Sequence, residues 1–183
     1  TLRPLEQDGA TGPNAGAGVD GETVVFESLG LAVRIPASWE LCQDTGWSRL
    51  FCEKETDAEA AAFPRFYVTV LPAGFTNEDA SAYNFISGEA VRALEGLAIG
   101  ESYATERLPE YYTFTRLPNM TVGGRPGVVI ENANVWEGGD DTKDRRVLVK
   151  AGTSTYMFGA YYKTAEELAQ VEDVLAGVVI TAR

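Results

Sequence analysis

The sequence contains no histidine and only two cysteines among its 183 residues. Histidine is the commonest general base and the commonest transition-metal ligand, so its absence excludes Ser-His-Asp and Cys-His catalytic arrangements and the HExxH zinc site. Long apolar runs are missing too, because none approaches the roughly 18 residues that a membrane-spanning helix needs. Most familiar catalytic templates and a transmembrane span are therefore ruled out for this stretch of chain.

Basic residues are also scarce, since 15 Lys and Arg stand against 27 Asp and Glu and leave a net charge of -12. A surface with this balance repels phosphate backbones and anionic membranes, which argues against nucleic acid as a partner. The rest of the composition is that of an ordinary globular protein. The length fits one domain that buries about 70% of the surface its unfolded chain would expose.

The two cysteines, Cys42 and Cys52, flank a segment in which residues 44–46 (Asp-Thr-Gly) have the composition of a turn. Two short antiparallel strands around that turn would bring the sulfur atoms opposite each other. No metal-ligand spacing or CxxC motif competes with this arrangement, so the spacing predicts a disulfide across a hairpin. A buried pair of free thiols is the alternative. A disulfide would indicate an oxidising compartment outside the cytoplasm.

Residues 1–21 are rich in Gly, Ala, Pro, Asn and Asp and show no hydrophobic period. This composition predicts a flexible tether ahead of a single domain over residues 22–183. The segment has neither the basic start nor the apolar core of a signal peptide, so if the protein is exported its signal is expected upstream. A tether of this kind is typical of a surface-anchored bacterial lipoprotein, although an ordinary disordered leader has the same composition.

Alternating apolar residues predict the strands, and three- and four-residue spacing predicts two helices. The first helix is expected to begin after Thr76 and to end at Gly96, and the second to begin after Thr164 with a capping box to Glu167 and to end at a left-handed Gly177. The order of elements predicts an α+β fold with helices packed on an antiparallel sheet. The strands are expected over residues 23–27, 31–35, 40–43, 49–52, 65–71, 111–116, 128–136, 145–150 and 155–161.

Four acidic residues fall on a predicted turn over residues 137–144, namely Glu137, Asp140, Asp141 and Asp144. Calcium prefers several carboxylate and carbonyl oxygens on a flexible loop, which makes Asp140, Asp141 and Asp144 candidate ligands. The alternating pattern of an EF-hand is absent. A solvated hairpin tip that keeps the protein soluble is the alternative, and it needs no ligand.

Two tyrosine pairs lie on predicted strands, where consecutive side chains point to opposite faces. In each of the pairs Tyr111 with Tyr112 and Tyr161 with Tyr162, one ring is expected in the core while the other can line a ligand groove. We take Tyr112 and Tyr162 as the candidate interface residues. Trp47 lies on the turn between the cysteines and is either an interface anchor or a cover for the disulfide.

Residues 30–39 have the pattern of an alternating strand that ends at a proline, with a tryptophan three residues later. Phe26 precedes this segment. Together with the element order, the sequence resembles the Mog1/PsbP-like superfamily, including its bacterial lipoprotein members, over about residues 22–183. Pro36 and Trp39 are carried over as fold markers, and no binding residue is carried over because no functional motif of any branch is present. Further residues that support the resemblance are Leu71-Pro72, Leu117-Pro118-Asn119 and Val122-Gly123-Gly124-Arg125-Pro126-Gly127.

The resemblance implies an antiparallel sheet flanked by helices, as an α/β/α sandwich, and a binding or assembly role without catalysis. We therefore expect an exported protein of the bacterial cell envelope, secreted or lipid-anchored, that binds a protein or a small ligand and needs no cofactor or metal. The alternative is a hydrolase of the glycosidase type, because the 27 acidic residues offer many possible carboxylate pairs.

Overall fold

The computed structural model describes residues 20–45, 48–54, 64–71, 73–75, 88–105, 109, 112–132 and 142–181. The start of the predicted first helix lies outside these residues, and its described part ends at Gly96 as predicted. The described helices and strands are β1 (Gly21–Phe26), β2 (Leu31–Pro36), β3 (Trp39–Asp44), β4 (Ser48–Glu53), β5 (Pro64–Leu71), α1 (Gly88–Gly96), β6 (Ser102–Ala104), β7 (Thr113–Val122), β8 (Arg125–Asn132), β9 (Lys143–Ala151), β10 (Ser154–Tyr162), α2 (Ala165–Ala176) and β11 (Val179–Ile180).

The strands form two antiparallel sheets. A small sheet has the order β1-β2-β11, and a large sheet has the order β3-β4-β5-β10-β9-β8-β7-β6. Each strand of the large sheet neighbours its predecessor in sequence, except where β5 pairs with β10. The predicted α+β class with helices on an antiparallel sheet is confirmed, and the division into two sheets is new.

The small sheet begins with a hairpin whose turn depends on glycine. Gly30 has φ of 59° and its N–H donates to the Glu27 carbonyl, so the chain reverses between β1 and β2. In β2 the predicted apolar face is buried, with Leu31, Val33 and Ile35 pointing inward. The last strand, β11, adds to the other side of β2, because Val179 pairs with Ala32.

Each face of the large sheet packs against its own hydrophobic core. On one face the small sheet and α2 cover large side chains, and on the other face α1 covers a second set. Side chains alternate along a strand, so neighbours such as Phe66 and Tyr67 belong to different cores. The first core includes Val33, Phe51, Phe66, Phe158, Val174 and Leu175, and the second includes Tyr67, Leu71, Leu94, Phe114, Ile130 and Met157.

The second helix, α2, begins as its sequence predicts. The Thr164 side chain accepts a hydrogen bond from the Glu167 N–H, and the Glu167 carboxylate accepts one from the Thr164 N–H, which makes the capping box. The same carboxylate binds Arg65 of β5 at 2.8 Å and so attaches the start of the helix to the large sheet. The predicted left-handed end is wrong, because Gly177 has φ of -89° and its N–H donates to carbonyls of the last turn.

Several strand bounds differ from the prediction. β7 continues through Pro118 to Val122, because a shift of register between Leu117 and Met120 accommodates the proline without ending the strand. β6 was not predicted at all. β9 begins at Lys143, so Asp144 lies within a strand and not on the acidic turn.

The structure describes the last two residues of the predicted tether, 20 and 21, and both belong to the folded domain. β1 begins at Gly21, and the Asp20 carbonyl already accepts a hydrogen bond from the Ala37 N–H at 3.0 Å. Residues 1–19 lie outside the described residues. None of the described helices has the length and apolar character needed to cross a membrane.

Cys42 and Cys52 form a disulfide between β3 and β4, with their Cα atoms 5.8 Å apart. Cys42 stands at an irregularity of β3, since the register with β4 shifts between Leu41 and Gln43. The bond therefore fixes a hairpin at the edge of the large sheet, where the strand ladder alone is interrupted.

We expect loss of this disulfide to cost about 2 to 3 kcal/mol of unfolding free energy, because a ten-residue separation closes a short loop in the unfolded chain. Denaturant unfolding of the oxidised protein, the reduced protein and the Cys42→Ala/Cys52→Ala variant measures this cost. Mass spectrometry after alkylation identifies the redox state of each sample. Alkylation of both thiols in native, unreduced protein would contradict the prediction.

Candidate functional site

Charged and aromatic side chains gather at one end of β8, β9 and β10, on both faces of the large sheet. Arg145 on β9 lies opposite Glu131 on the neighbouring strand β8, and the next residue, Arg146, points to the opposite face of the sheet. We call the first group the Arg145 cluster and the second the Arg146 cluster. The Arg145 cluster consists of Glu131, Lys143, Arg145, Tyr162 and Glu172, and the Arg146 cluster of Tyr67, Tyr112, Phe114, Asp144 and Arg146.

The Arg146 cluster is built around a buried ion pair. Arg146 donates from Nε and Nη2 to Asp144 Oδ2, at 2.8 and 2.6 Å, and the two residues are 3% and 1% exposed. The other carboxylate oxygen, Oδ1, accepts a hydrogen bond from the Tyr67 hydroxyl at 3.1 Å. Both oxygens of Asp144 are thereby engaged, so a calcium ion bound there would have to displace an arginine and a tyrosine.

Aromatic rings surround the guanidinium of Arg146. Its central carbon lies 4.9 Å from the ring centre of Phe114, 5.8 Å from that of Tyr67 and 5.9 Å from that of Tyr112, all within cation–π range. Gly159 makes room for this arrangement, because a Cβ at that position would meet Tyr67 Cζ at 1.9 Å. The rings and the carboxylate together replace the water that the buried cation has lost.

The electrostatics of this cluster favour a fixed charge state. Burial alone would lower the pKa of Arg146, but the neighbouring Asp144 carboxylate raises it above its ordinary value. Burial also raises the pKa of Tyr67 well above its ordinary value. Neither group exchanges a proton near neutral pH. The Arg146 cluster is therefore suited to holding the sheet together and not to proton transfer.

The Arg145 cluster lies nearer the surface. Arg145 donates to Glu131 Oε2 from Nε at 3.1 Å and from Nη2 at 2.8 Å, and from Nη1 to Glu172 Oε1 on α2 at 3.1 Å. The Tyr162 hydroxyl donates to the same Glu131 oxygen, while its ring lies 5.5 Å from the Arg145 guanidinium. Lys143 approaches the other Glu131 oxygen at 3.9 Å. The network connects the sheet to α2 and presents charges of both signs to solvent.

The charge state of Glu131 depends on these contacts. Burial alone would raise its pKa, but the hydrogen bonds from Tyr162 and Arg145 and the charges of Arg145 and Lys143 lower it overall. For Tyr162, burial and the hydrogen bond to Glu131 raise the pKa above its ordinary value. At neutral pH the cluster therefore contains an ionised carboxylate and a neutral phenol.

The lowered pKa of Glu131 predicts an acid-sensitive contribution to stability. A carboxylate whose pKa is lower in the folded state stabilises the folded protein at pH values above the pKa that it has in the unfolded chain, which is about 4.5 for glutamate. This stabilisation is lost as the pH falls through the pKa of the folded state. We expect Glu131→Gln to lower the unfolding free energy at pH 7, and we expect its difference from the wild type to shrink as the pH falls below about 4.5. Parallel denaturant titrations across this range measure the difference, and a gap that stays constant with pH would refute the assignment.

The residues predicted as interface or calcium sites fall into these two clusters or outside the described residues. Tyr112 and Asp144 both contact Arg146, and Tyr162 belongs to the Arg145 cluster. Trp47, Asp140 and Asp141 lie outside the described residues, and their proposed roles stay predictions. In the part of the chain that the structure describes, no group of three or more Cys, Asp or Glu side chains is placed to hold a metal ion.

Sequence reasoning missed Arg145, Arg146 and Glu131. The signal for the arginines was present, because two consecutive arginines in a strand must place one side chain on each face. A cation on a face that is otherwise apolar needs a carboxylate nearby. Asp144 and Glu131 fulfil that need. Asp144 lies two positions before Arg146 on the same face of β9, so their pairing depends on the strand assignment, whereas Glu131 meets Arg145 only through the register of β8 with β9.

Comparison with known proteins gives likenesses of fold. No family model and no curated protein matches the sequence. Among solved structures, the Saccharomyces cerevisiae Ran-binding protein Mog1p superposes with a TM-score of 0.47 at 10% identity, over 90% of this chain and 97% of Mog1p. Cyanobacterial PsbP (CyanoP) from Synechocystis sp. PCC 6803 superposes with a TM-score of 0.47 at 15% identity, over 94% and 99%.

Two bacterial structures are similar to a comparable extent. LpqN, involved in cell envelope biogenesis of Mycobacterium tuberculosis, gives a TM-score of 0.40 at 13% identity, over 90% of this chain and 87% of LpqN. A Bacteroides thetaiotaomicron protein gives 0.45 at 12% identity, over 90% of this chain but only 49% of its own length. These likenesses assign no family, partner or residue role to this chain.

Proposed function

We propose that this chain is a non-enzymatic binding or assembly protein of the bacterial cell envelope, whose partner is a protein or a small ligand. The observation that carries the proposal is the Arg145 cluster. Its outer members, Lys143 and Glu172, have side chains 47% and 50% exposed, while the arginine between them is held by hydrogen bonds on both sides. Charges that are already fixed in place cost little further ordering when a partner binds.

The disulfide supports the proposed compartment. Such bonds persist in secreted, periplasmic and surface proteins, whereas thiols in the cytosol are kept reduced. The bond between Cys42 and Cys52 therefore supports an extracytoplasmic location. A flexible tether ahead of β1 would be consistent with release into that space or with a lipid anchor upstream of it.

The hydrolase alternative has one observation in its favour, because Glu131 and Glu172 both bind Arg145 and so lie close to each other. A glycosidase needs two carboxyl groups on either side of the bond that it cleaves, and one of them must carry a proton. Here the guanidinium occupies the space between the two groups, and the pKa of Glu131 is lowered instead of raised. The geometry therefore favours recognition over acid catalysis.

Affinity capture from an envelope extract, quantified by mass spectrometry, tests the binding role. We expect Lys143→Glu and Glu172→Lys to lose a ligand or protein that the wild type retains. Lys54→Glu and Glu40→Lys make the same charge changes at exposed positions of the β3–β4 hairpin and should retain it. Equal capture by the wild type and all four variants would refute the assignment of the binding role to the Arg145 cluster. Hydrolytic turnover that Glu131→Gln abolishes would favour the enzyme instead.

A further inference from the structure

β1 forms one edge of the small sheet. Its six residues pair without interruption along β2, from Gly21 opposite Pro36 to Phe26 opposite Leu31. No other described strand pairs with its second side. This edge belongs neither to the Arg145 cluster nor to the Arg146 cluster.

The hydrogen-bond register shows which backbone groups face outward. In an antiparallel pair, bonded and non-bonded positions alternate. The Ala37 N–H donates to the Asp20 carbonyl, so Asp20 and Ala37 form a hydrogen-bonded pair. Glu22 and Val24 lie two and four positions further along, so they also bond to β2. The N–H and C=O groups of Gly21, Thr23 and Val25 consequently point away from β2, at the spacing that an added strand would match.

The other described edges are protected. β3 is interrupted by the register shift at Cys42, and β6 and β11 are only three and two residues long. Short and irregular edges are devices that prevent unwanted strand pairing. β1 has no bulge and no proline, and its Val25 side chain is 60% exposed.

The side chains around β1 indicate what kind of strand would fit. Thr23 and Val25 are exposed on the outer face of the small sheet, next to Ala32. Acidic residues lie on β1 and next to it in sequence, namely Asp20, Glu22 and Glu27. The basic residue of β2, Arg34, lies opposite Thr23 on the outer face, where it disfavours a basic side chain on an added strand. An incoming strand would therefore place apolar residues opposite Val25 and basic residues opposite Glu22.

We propose that the edge of β1 is a strand-addition site for an extended peptide segment of a partner protein, in which basic and apolar residues alternate. A second copy of this chain fits less well, because each copy carries a net charge of -12 and the same acidic residues along β1. Backbone hydrogen bonds provide the affinity in such complexes, and the alternate side chains provide the specificity.

A capped octapeptide of alternating Lys and Val, labelled for fluorescence anisotropy, tests the site on the full chain. We expect saturable binding that weakens with added salt. In a peptide that adds antiparallel to β1, directly opposed residues share a face and exchange both hydrogen bonds, so the Val residues of the peptide should donate and accept them. N-methylation of the Val nitrogens should then abolish binding, whereas N-methylation of the Lys nitrogens should leave it intact. Equal effects of the two modifications would overturn the proposal.

Two further measurements locate the bound strand. Hydrogen exchange should slow at the Thr23 and Val25 amides when the peptide binds, and not at Glu22 or Val24, which already bond to β2. Glu22→Lys should weaken binding about twofold to fivefold, as expected for one exposed charge pair. An alternating Glu-Val peptide should not bind. Unchanged exchange at Thr23 and Val25 would overturn the proposal.

Variants of β1 separate a foreign peptide from a second copy. Thr23→Pro removes an outward N–H without removing a bond to β2, and Thr23→Val is the matched control that keeps it. We expect only Thr23→Pro to lose the Lys-Val peptide, with the wild type monomeric in sedimentation. A wild-type dimer that Thr23→Pro dissociates would overturn the peptide assignment in favour of self-association. The N-methylated peptides test the same edge if Thr23→Pro fails to fold.

Discussion

Asp144→Asn is expected to cost about 3 to 5 kcal/mol of unfolding free energy, because it removes the only carboxylate that binds Arg146 among the described residues. Arg146 is 3% exposed, so water cannot replace the lost partner. The aromatic rings around it attract a cation but accept no charge-assisted hydrogen bond of the same strength. Denaturant unfolding at neutral pH measures the loss.

Two variants control this experiment. Asp173→Asn removes one negative charge from an exposed position on α2 and should change stability by less than about 0.5 kcal/mol. Asp144→Asn combined with Arg146→Met removes the buried charge altogether and should recover much of the stability, because an uncharged side chain needs no counter-ion. A cost below about 1 kcal/mol for Asp144→Asn alone would mean that the pair is hydrated.

Trp39→Ala is expected to cost about 3 to 5 kcal/mol, through lost packing and the cavity left behind. The side chain is 3% exposed, and its ring stacks on Phe66 with the ring centres 6.3 Å apart. This position joins β3 to the first core, so the cavity would open beneath the edge of the large sheet. Thermal and denaturant unfolding of the variant both measure the effect.

Trp39→Phe provides a sharp comparison. The indole N–H is buried and has no hydrogen-bond partner among the described residues, so its removal should cost no hydrogen bond. The variant keeps an aromatic ring and should therefore lose clearly less stability than Trp39→Ala. From the sequence, Trp47→Ala is also expected to cost much less. If Trp47→Ala proved the more damaging change, the role of Trp39 as a fold marker would be wrong.

Local features of the fold were predictable from the sequence, and non-local ones were not. The alternation of Leu31, Val33 and Ile35 and the capping box at Thr164 depend on residues a few positions apart, and the structure confirms both. The extension of β7 past Pro118 depends on a register shift with β8, which no local pattern shows. The separation of β1, β2 and β11 into their own sheet depends on pairing between the two ends of the chain.

The candidate site shows the same limit. Tyr112 and Asp144 were each singled out for a separate reason, one as an aromatic on a strand and the other as a possible calcium ligand. The structure brings both to Arg146, which the sequence analysis had passed over. An acidic residue near a predicted turn gives no indication that a buried arginine two positions later will bind it. Only the strand assignment of Asp144 makes the pair visible.

The pairing of β5 with β10 has a consequence for the time course of folding. All other neighbours in the large sheet are consecutive strands, so the β3-β4-β5 and β6-to-β10 meanders can each form by local closure. The join between them, from Phe66 opposite Ala160 to Leu71 opposite Thr155, must wait until β10 has been synthesised. Until then β5 has an unpaired side, and we expect this intermediate to be where chaperones engage the chain and where aggregation competes with folding.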